Sequence, residues 1–226
     1  MGVKSVENTD RLYWLGRYSE RVYTTLKLYG QRFDSMIEEG TEGYDEFCRS
    51  LDIPNIYNSA EDFRQKYPFG KDDPNSIYSN LKRAYDNAIE LREEIGSETL
   101  AYIQLAVYEM NKAAESEAPM IEFQKVLDDI LAFWGIVDDQ IEDENTRNVI
   151  KVGKRVERID LYGRLRVDYV SMEREIRRLC GRIDRCSLHY NREVLETLSA
   201  MIDREKMNEK LNYPEIVRKI ERILEV

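Results

Sequence analysis

Apolar residues return at steps of three and four along most of this chain. The clearest run is Leu12, Leu15, Ser19, Val22, Leu26, Tyr29, Phe33 and Met36. A helix lays such a run on one stripe, whereas a strand would need alternation. No segment alternates for long enough to read as a strand. A chain of this kind buries its stripes by packing helix on helix, so the fold class is all-α, a helical bundle of long antiparallel helices. With 226 residues, it is long enough for one sizeable core or two small ones. No linker rich in Pro, Gly or Ser divides it, so residues 1–226 read as a single helical domain.

Turn and cap residues punctuate the helices. Asn8 or Thr9 is positioned to N-cap the first, and Gly40 to stop it. Thr41 to Leu51 reads as a short helix, and Pro54, Asn55 and Asn58 as a turn region. Ser59-Ala-Glu-Asp opens a further turn of helix by a capping-box variant, which Tyr67-Pro-Phe-Gly ends. Asp73-Pro74 predicts a start running to about Ile95. After Gly96, Ser97 caps a helix to about Ala114, and Pro119 begins one to about Ile141. Asn145 caps a long helix to about Cys186, with a bend at Gly163. Two more follow, about Asn191–Lys210 and Pro214–Leu224.

The stretch from Glu7 to Arg21, ENTDRLYWLGRYSER, returns 137 residues later as ENTRNVIKVGKRVER, from Glu144 to Arg158, with six of fifteen positions identical. The repeat predicts two halves, about 7–118 and 119–226, related by an internal pseudo-twofold and sharing one core. Gly16 and Gly153 each stand inside a helix, where glycine costs about 1 kcal/mol relative to alanine. Close approach of a second helix is the obvious reason. Glu20 and Glu157 border a second, polar-aromatic contact face of their helices, so two Glu and two Arg on neighbouring helices can form an inward polar cluster. That cluster is either a Glu–Arg network fixing helix register or a shared anion or metal site. Spacing favours the first.

The formal charge of −10 argues against a nucleic-acid binder, which needs a basic face. Arg174, Arg177, Arg178, Arg182 and Arg185 share a helical face, read as solvated and paired with Glu173, Glu175 and Asp184. Cys48, Cys180 and Cys186 include no Cys-x-x-Cys pair and suit a reducing compartment. His189 is the sole histidine, so most His-based metal sites are excluded; no metal site and no cofactor are expected. No membrane span and no signal peptide are visible, and a cytoplasmic location is expected. Asp128-Asp129 and Asp138-Asp139-Gln-Ile-Glu142 bear a weak likeness to aspartate-rich Mg²⁺–diphosphate motifs; a solvated helix terminus is the plainer reading. Tyr13, Trp14, Tyr18, Tyr23 and Tyr29 crowd the first helix, as packing or as a peptide groove. No phosphate loop, Gly-x-Ser-x-Gly or Cys/His pair appears.

LYWLGRYSERVYTTLKL and KVGKRVERIDLYGRL resemble the paired motifs of the alpha-E domain family, prokaryotic all-helical proteins. DPNSIYSNLKRAYDNAIELREEIGSE resembles the family's central segment, with Asp73, Pro74, Asn75, Ser76 and Ile77 in its first places and Asn87, Arg92, Glu93 and Glu98 in its second. Asp160 keeps the acidic residue the family often has after Glu-Arg-x; Tyr23 replaces it in the first copy. Glu142 to Asn145 stand where a His is frequent. The resemblance implies a context: encoding beside ATP-grasp ligases and transglutaminase-like cysteine peptidases. It therefore implies an accessory or scaffold subunit of a peptide- or amide-ligase or peptide-modification system, with a protein partner; that neither nucleic acid nor membrane is a partner is expected from charge and hydropathy. Whether the chain is itself an enzyme stays open. Ligand- or partner-binding candidates are Glu20, Arg21, Asn75, Ser76, Arg92, Glu98, Glu157, Arg158 and Asp160. The alternatives are a metal-dependent enzyme using clustered Glu and Asp in the bundle core, and a structural bundle forming a homo-oligomer through its Tyr-rich face.

Overall fold

A computed structural model describes residues 6–38, 41–205 and 211–224. Among them are eleven helices and no strand: α1 (Val6–Glu38), α2 (Thr41–Leu51), α3 (Ala60–Phe69), α4 (Ile77–Glu90), α5 (Arg92–Ile95), α6 (Ser97–Glu115), α7 (Pro119–Asp139), α8 (Glu144–Arg164), α9 (Tyr169–Ile183), α10 (Arg192–Glu205) and α11 (Tyr213–Glu221). The expected stop at Gly40 and the expected end at Lys210 lie outside the described residues. The chain divides into two compact units. One comprises residues 1–17 and 143–226, the other 18–142.

In the unit of residues 18–142, α6 and α7 form an antiparallel hairpin. Lys112 reaches Glu122 at 3.5 Å and Lys125 reaches Glu109 at 4.0 Å, so residue numbers fall on one helix as they rise on the other. Nearby, the core is aromatic: Tyr44 and Tyr67 both stack on Phe63, and Phe47 meets Phe63 edge-on at 5.3 Å. Such pairs add about 0.5–1.5 kcal/mol each beyond their buried area. Ser59 caps α3 by accepting from the Asp62 N–H, but Asp62 answers one residue earlier than a capping box does, accepting from the Asn58 N–H at 3.0 Å.

Several predicted helix starts move by a few residues. α1 already contains Asn8 and Thr9, so neither is its cap. α4 begins after Ser76, not at Pro74; Asp73 is instead an acceptor for the Asn75 N–H and the Tyr57 hydroxyl. Gly96, with φ 80°, precedes α6, and Ser97 is a helical residue whose hydroxyl accepts from Arg92 at 3.0 Å. Asp143 rather than Asn145 caps α8, through the Thr146 N–H; Asn145 accepts from the Ser187 N–H at 2.6 Å.

In the unit of residues 1–17 and 143–226, the single long helix expected to reach Cys186 is two. Leu161, Leu165, Tyr169 and Met172 keep helical spacing across the junction, which hides the break from a periodicity argument. The break is made by backbone geometry: Arg166 adopts φ 52° after α8, and Asp168 caps α9 by accepting from the Ser171 N–H. Asn145 to Ser187, Asn148 to Arg182 and Arg155 to Glu175 are cross-links in falling order, so α8 and α9 are antiparallel.

Candidate functional site

The backbones of α1 and α8 touch. A Cβ added to Gly16 would lie 2.0 Å from the Ile150 carbonyl oxygen, and one added to Gly153 would lie 2.1 Å from that of Tyr13. The next neighbours are the Lys154 and Arg17 amides respectively. Each contact repeats the other with the residue numbers shifted by 137, so the contact is reciprocal. This is the reason for both in-helix glycines: only a hydrogen fits.

Next to the crossing, α8 is enclosed on nearly every side despite its charge. Lys151, Lys154, Arg155, Glu157 and Asp160 are all buried. The carboxylate of Glu157 is 1% exposed and accepts from Arg17 Nε at 2.7 Å. Arg17 also lies over the Trp14 ring, 4.9 Å from its centroid. Burial opposes the charge on Arg17, but Glu157, with Tyr13 and Asp160, more than offsets it and holds the guanidinium above its ordinary value. Burial pushes the Tyr13 phenol up to about 12, against the pull of Arg17. Asp160 accepts from Arg164 Nε at 3.0 Å, and Arg164 reaches on to Glu221 of α11. An ion pair this enclosed costs about 3–5 kcal/mol to break by removing one partner, because the other charge stays buried.

The sequence candidates fall at different places. Glu157 and Asp160 are buried on α8, and Arg158, half-buried, stands 3.9 Å from Glu175 on α9. Glu157 is met by Arg17, the basic residue that follows the glycine. In the other unit, Glu20 is fully buried and accepts from the Thr24 hydroxyl at 2.9 Å. Arg21 is half-buried, and its carbonyl accepts from Thr25. Ser76 is a buried N-cap, accepting from the Ser79 N–H and donating to the Gly70 carbonyl. Asn75 is half-buried beside it, while Arg92 and Glu98 are exposed. These four hold no common site: Ser76 and Asn75 shape the start of α4, and Arg92 steadies the entry to α6 through Ser97.

Spacing arguments missed Glu175. It was expected on a solvated face, yet it is buried on the stripe of Met172, Ile176, Leu179 and Ile183. The positions at steps of three and four that pass through 175 carried that signal. Of the tyrosines on α1, Tyr13 and Tyr29 are buried and Tyr18 and Tyr23 half-buried. Among the described residues no group of three or more His, Cys, Asp or Glu is arranged to hold a metal ion, and no helix is long and apolar enough to cross a membrane.

A family model described as a predicted alpha-helical domain with a conserved ER motif matches residues 8–214. The chain belongs to the Alpha-E family. This Alpha-E chain writes Glu-Arg at Glu20-Arg21, Glu157-Arg158, Glu173-Arg174 and Glu221-Arg222. No curated protein and no solved structure matches it. The family description agrees with the helical fold, and the match covers nearly the whole chain.

Proposed function

We propose that this Alpha-E protein is a cytoplasmic helical scaffold, an accessory subunit that binds a protein partner in an ATP-grasp-type peptide- or amide-ligase system. One observation carries the scaffold part: the buried carboxylates of the second motif are already bonded within the fold, Glu157 across to Arg17 of α1 and Asp160 along α8 to Arg164. A carboxylate so committed is poorly placed to move a proton to or from a substrate, which requires hydrogen-bond reach of the reacting atom. The α6–α7 hairpin supports the partner part. Leu105 and Tyr108, one turn apart on α6, are 46% and 62% exposed, and Ile121 and Leu131 on α7 are 64% and 49% exposed. Exposed aromatic and aliphatic side chains on one element are what docking surfaces bury. The ligase identity rests on the resemblance of the paired motifs. Descent of the chain from two related halves is part of the same reading, supported by the reciprocal glycine crossing.

The test is a pull-down from native lysate with the tagged chain, beside a Leu105→Glu/Tyr108→Glu variant. The reading expects an ATP-grasp ligase or a transglutaminase-like peptidase with the wild type and its loss with the variant. Recovery of neither enzyme overturns the ligase assignment. Equal recovery by the variant moves the docking surface away from α6.

A further inference from the structure

Glu175 draws more positive charge than it can balance. One of its oxygens accepts from Arg155. The other accepts from Arg178 at 3.0 Å, with Arg174 Nε at 3.7 Å and Arg158 at 3.9 Å. Arg158 has further contacts besides Glu175. The remaining three guanidiniums, Arg155, Arg174 and Arg178, share one carboxylate, a local charge of three minus one. Three guanidiniums present about fifteen N–H donors, and one carboxylate about four acceptor positions.

The imbalance reaches the interior. Arg155 is 8% exposed, and its enclosed Nε–H meets no hydrogen-bond acceptor among the described residues. A buried charged donor without a protein acceptor is unfavourable, and it leaves the positive charge beneath Glu175 incompletely compensated. Burial pulls the Arg155 guanidinium below its ordinary value; Glu175 opposes the shift, and the like charges of Arg158 and Arg178 add to it. At the surface, Arg174 and Arg178 lie four residues apart on one face of α9 and are 52% and 49% exposed. Their outer N–H groups are open to solvent, while their inner sides are held by the buried carboxylate.

We infer that this cluster binds a phosphate group, with Arg174 and Arg178 donating at the surface and Glu175, itself anchored by Arg155, holding them from beneath. The guanidinium fork suits oxyanions, which it meets with two parallel hydrogen bonds. Charge selects among oxyanions. A phosphate monoester carries about −1.5 to −2 at neutral pH, which matches the local excess, whereas a carboxylate carries half that. The chemistry is shared by free inorganic phosphate and by a phosphate ester. The site is independent of the partner reading, since it lies on α8 and α9 and uses none of the α6–α7 surface.

The experiment is calorimetric titration of the full chain with inorganic phosphate at fixed ionic strength, repeated with O-phosphoserine and with acetate. The variants are Arg174→Gln/Arg178→Gln, both half-exposed, and Arg192→Gln, 72% exposed and outside the cluster, as the control. Circular dichroism confirms that each is folded. We expect saturable binding of one phosphate, weakened roughly tenfold or more in the double variant, about 1.4 kcal/mol or more in binding free energy, and unchanged in the control. Tighter binding of O-phosphoserine than of phosphate assigns the site to an ester, and the reverse order to the free ion; either supports a phosphate site. Absence of saturation by about 10 mM phosphate, a range that would still reveal millimolar affinity, overturns it. So does acetate binding as tightly as phosphate, or a folded double variant that binds like the wild type.

Discussion

Replacing Gly16 by alanine puts a methyl group 2.0 Å from the Ile150 carbonyl oxygen, where real Cβ atoms essentially never come within 3.0 Å. The obstacle is backbone on both sides, so no side chain can turn away, and α1 and α8 must part by about 1 Å. Overpacking that forces backbone to move costs about 1–3 kcal/mol, and this case belongs at the upper end. The same opening stretches the 2.7 Å Arg17–Glu157 contact beyond good hydrogen-bond length, losing part of the roughly 1.5–3 kcal/mol of a charged hydrogen bond. Alanine returns about 1 kcal/mol of helix propensity. The net expectation is a loss of about 3 kcal/mol for Gly16→Ala, and a similar loss for Gly153→Ala, whose methyl would lie 2.1 Å from the Tyr13 carbonyl. One separation relieves both clashes. The double variant should therefore lose about 3–4 kcal/mol rather than the sum, a coupling of about 2–3 kcal/mol, within the range found for residues in contact. Urea unfolding of the four proteins, followed by circular dichroism, measures the cycle. Losses under about 1 kcal/mol, the usual size at positions without special constraint, or simple additivity would refute the reciprocal crossing.

Three further outcomes follow from the geometry. Burial first, then the charges of Glu109 and Asp128, raise the Asp129 carboxyl from 3.8 to about 6. Between those values the folded chain holds a proton the unfolded chain has released. The stabilisation is therefore complete below pH 3.8 and is lost as pH rises through about 6. Asp129→Asn should flatten that slope in urea midpoints taken across the window and raise stability at neutral pH; an unchanged slope sinks the assignment. Ser76→Ala removes the α4 cap and a donor to the Gly70 carbonyl, and should cost about 1–2 kcal/mol in the same assay; a change of a few tenths would mean the cap is redundant. Cys48 is buried, with its thiol pushed up to about 12 by burial and then by Asp45 and Asp73. It should resist iodoacetamide in the native state and react once urea unfolds the chain; rapid native labelling of Cys48 by mass spectrometry would contradict its burial.

Helical periodicity carried most of the fold, because stripes such as Leu12, Leu15 and Val22 encode which face is buried. It failed where backbone geometry, not side-chain pattern, decides. The α8–α9 break at Arg166 interrupts no apolar spacing. Asp73 was displaced as a cap because Ser76 offered a buried hydroxyl with two backbone partners. The paired glycines announced a close crossing, and the structure supplies it. That Arg17 reaches Glu157 was not readable from the Glu-Arg dipeptide, because residues at i+1 on a helix point apart and the neighbouring helix decides which cation arrives. Glu175 was hidden by composition: in an arginine-rich segment it resembled one more surface carboxylate, and only its step from Met172 and to Leu179 marked it as inward.

The central claim is that the repeated motif is a structural clamp. The most direct test is the unfolding free energy of Glu157→Gln against wild type. The account predicts a loss of about 3–5 kcal/mol, because Arg17, only 15% exposed, would be left beside a neutral amide. A loss below roughly 1 kcal/mol, typical of positions that do not hold the fold together, would contradict it, and would mean that the carboxylate serves a ligand or partner instead.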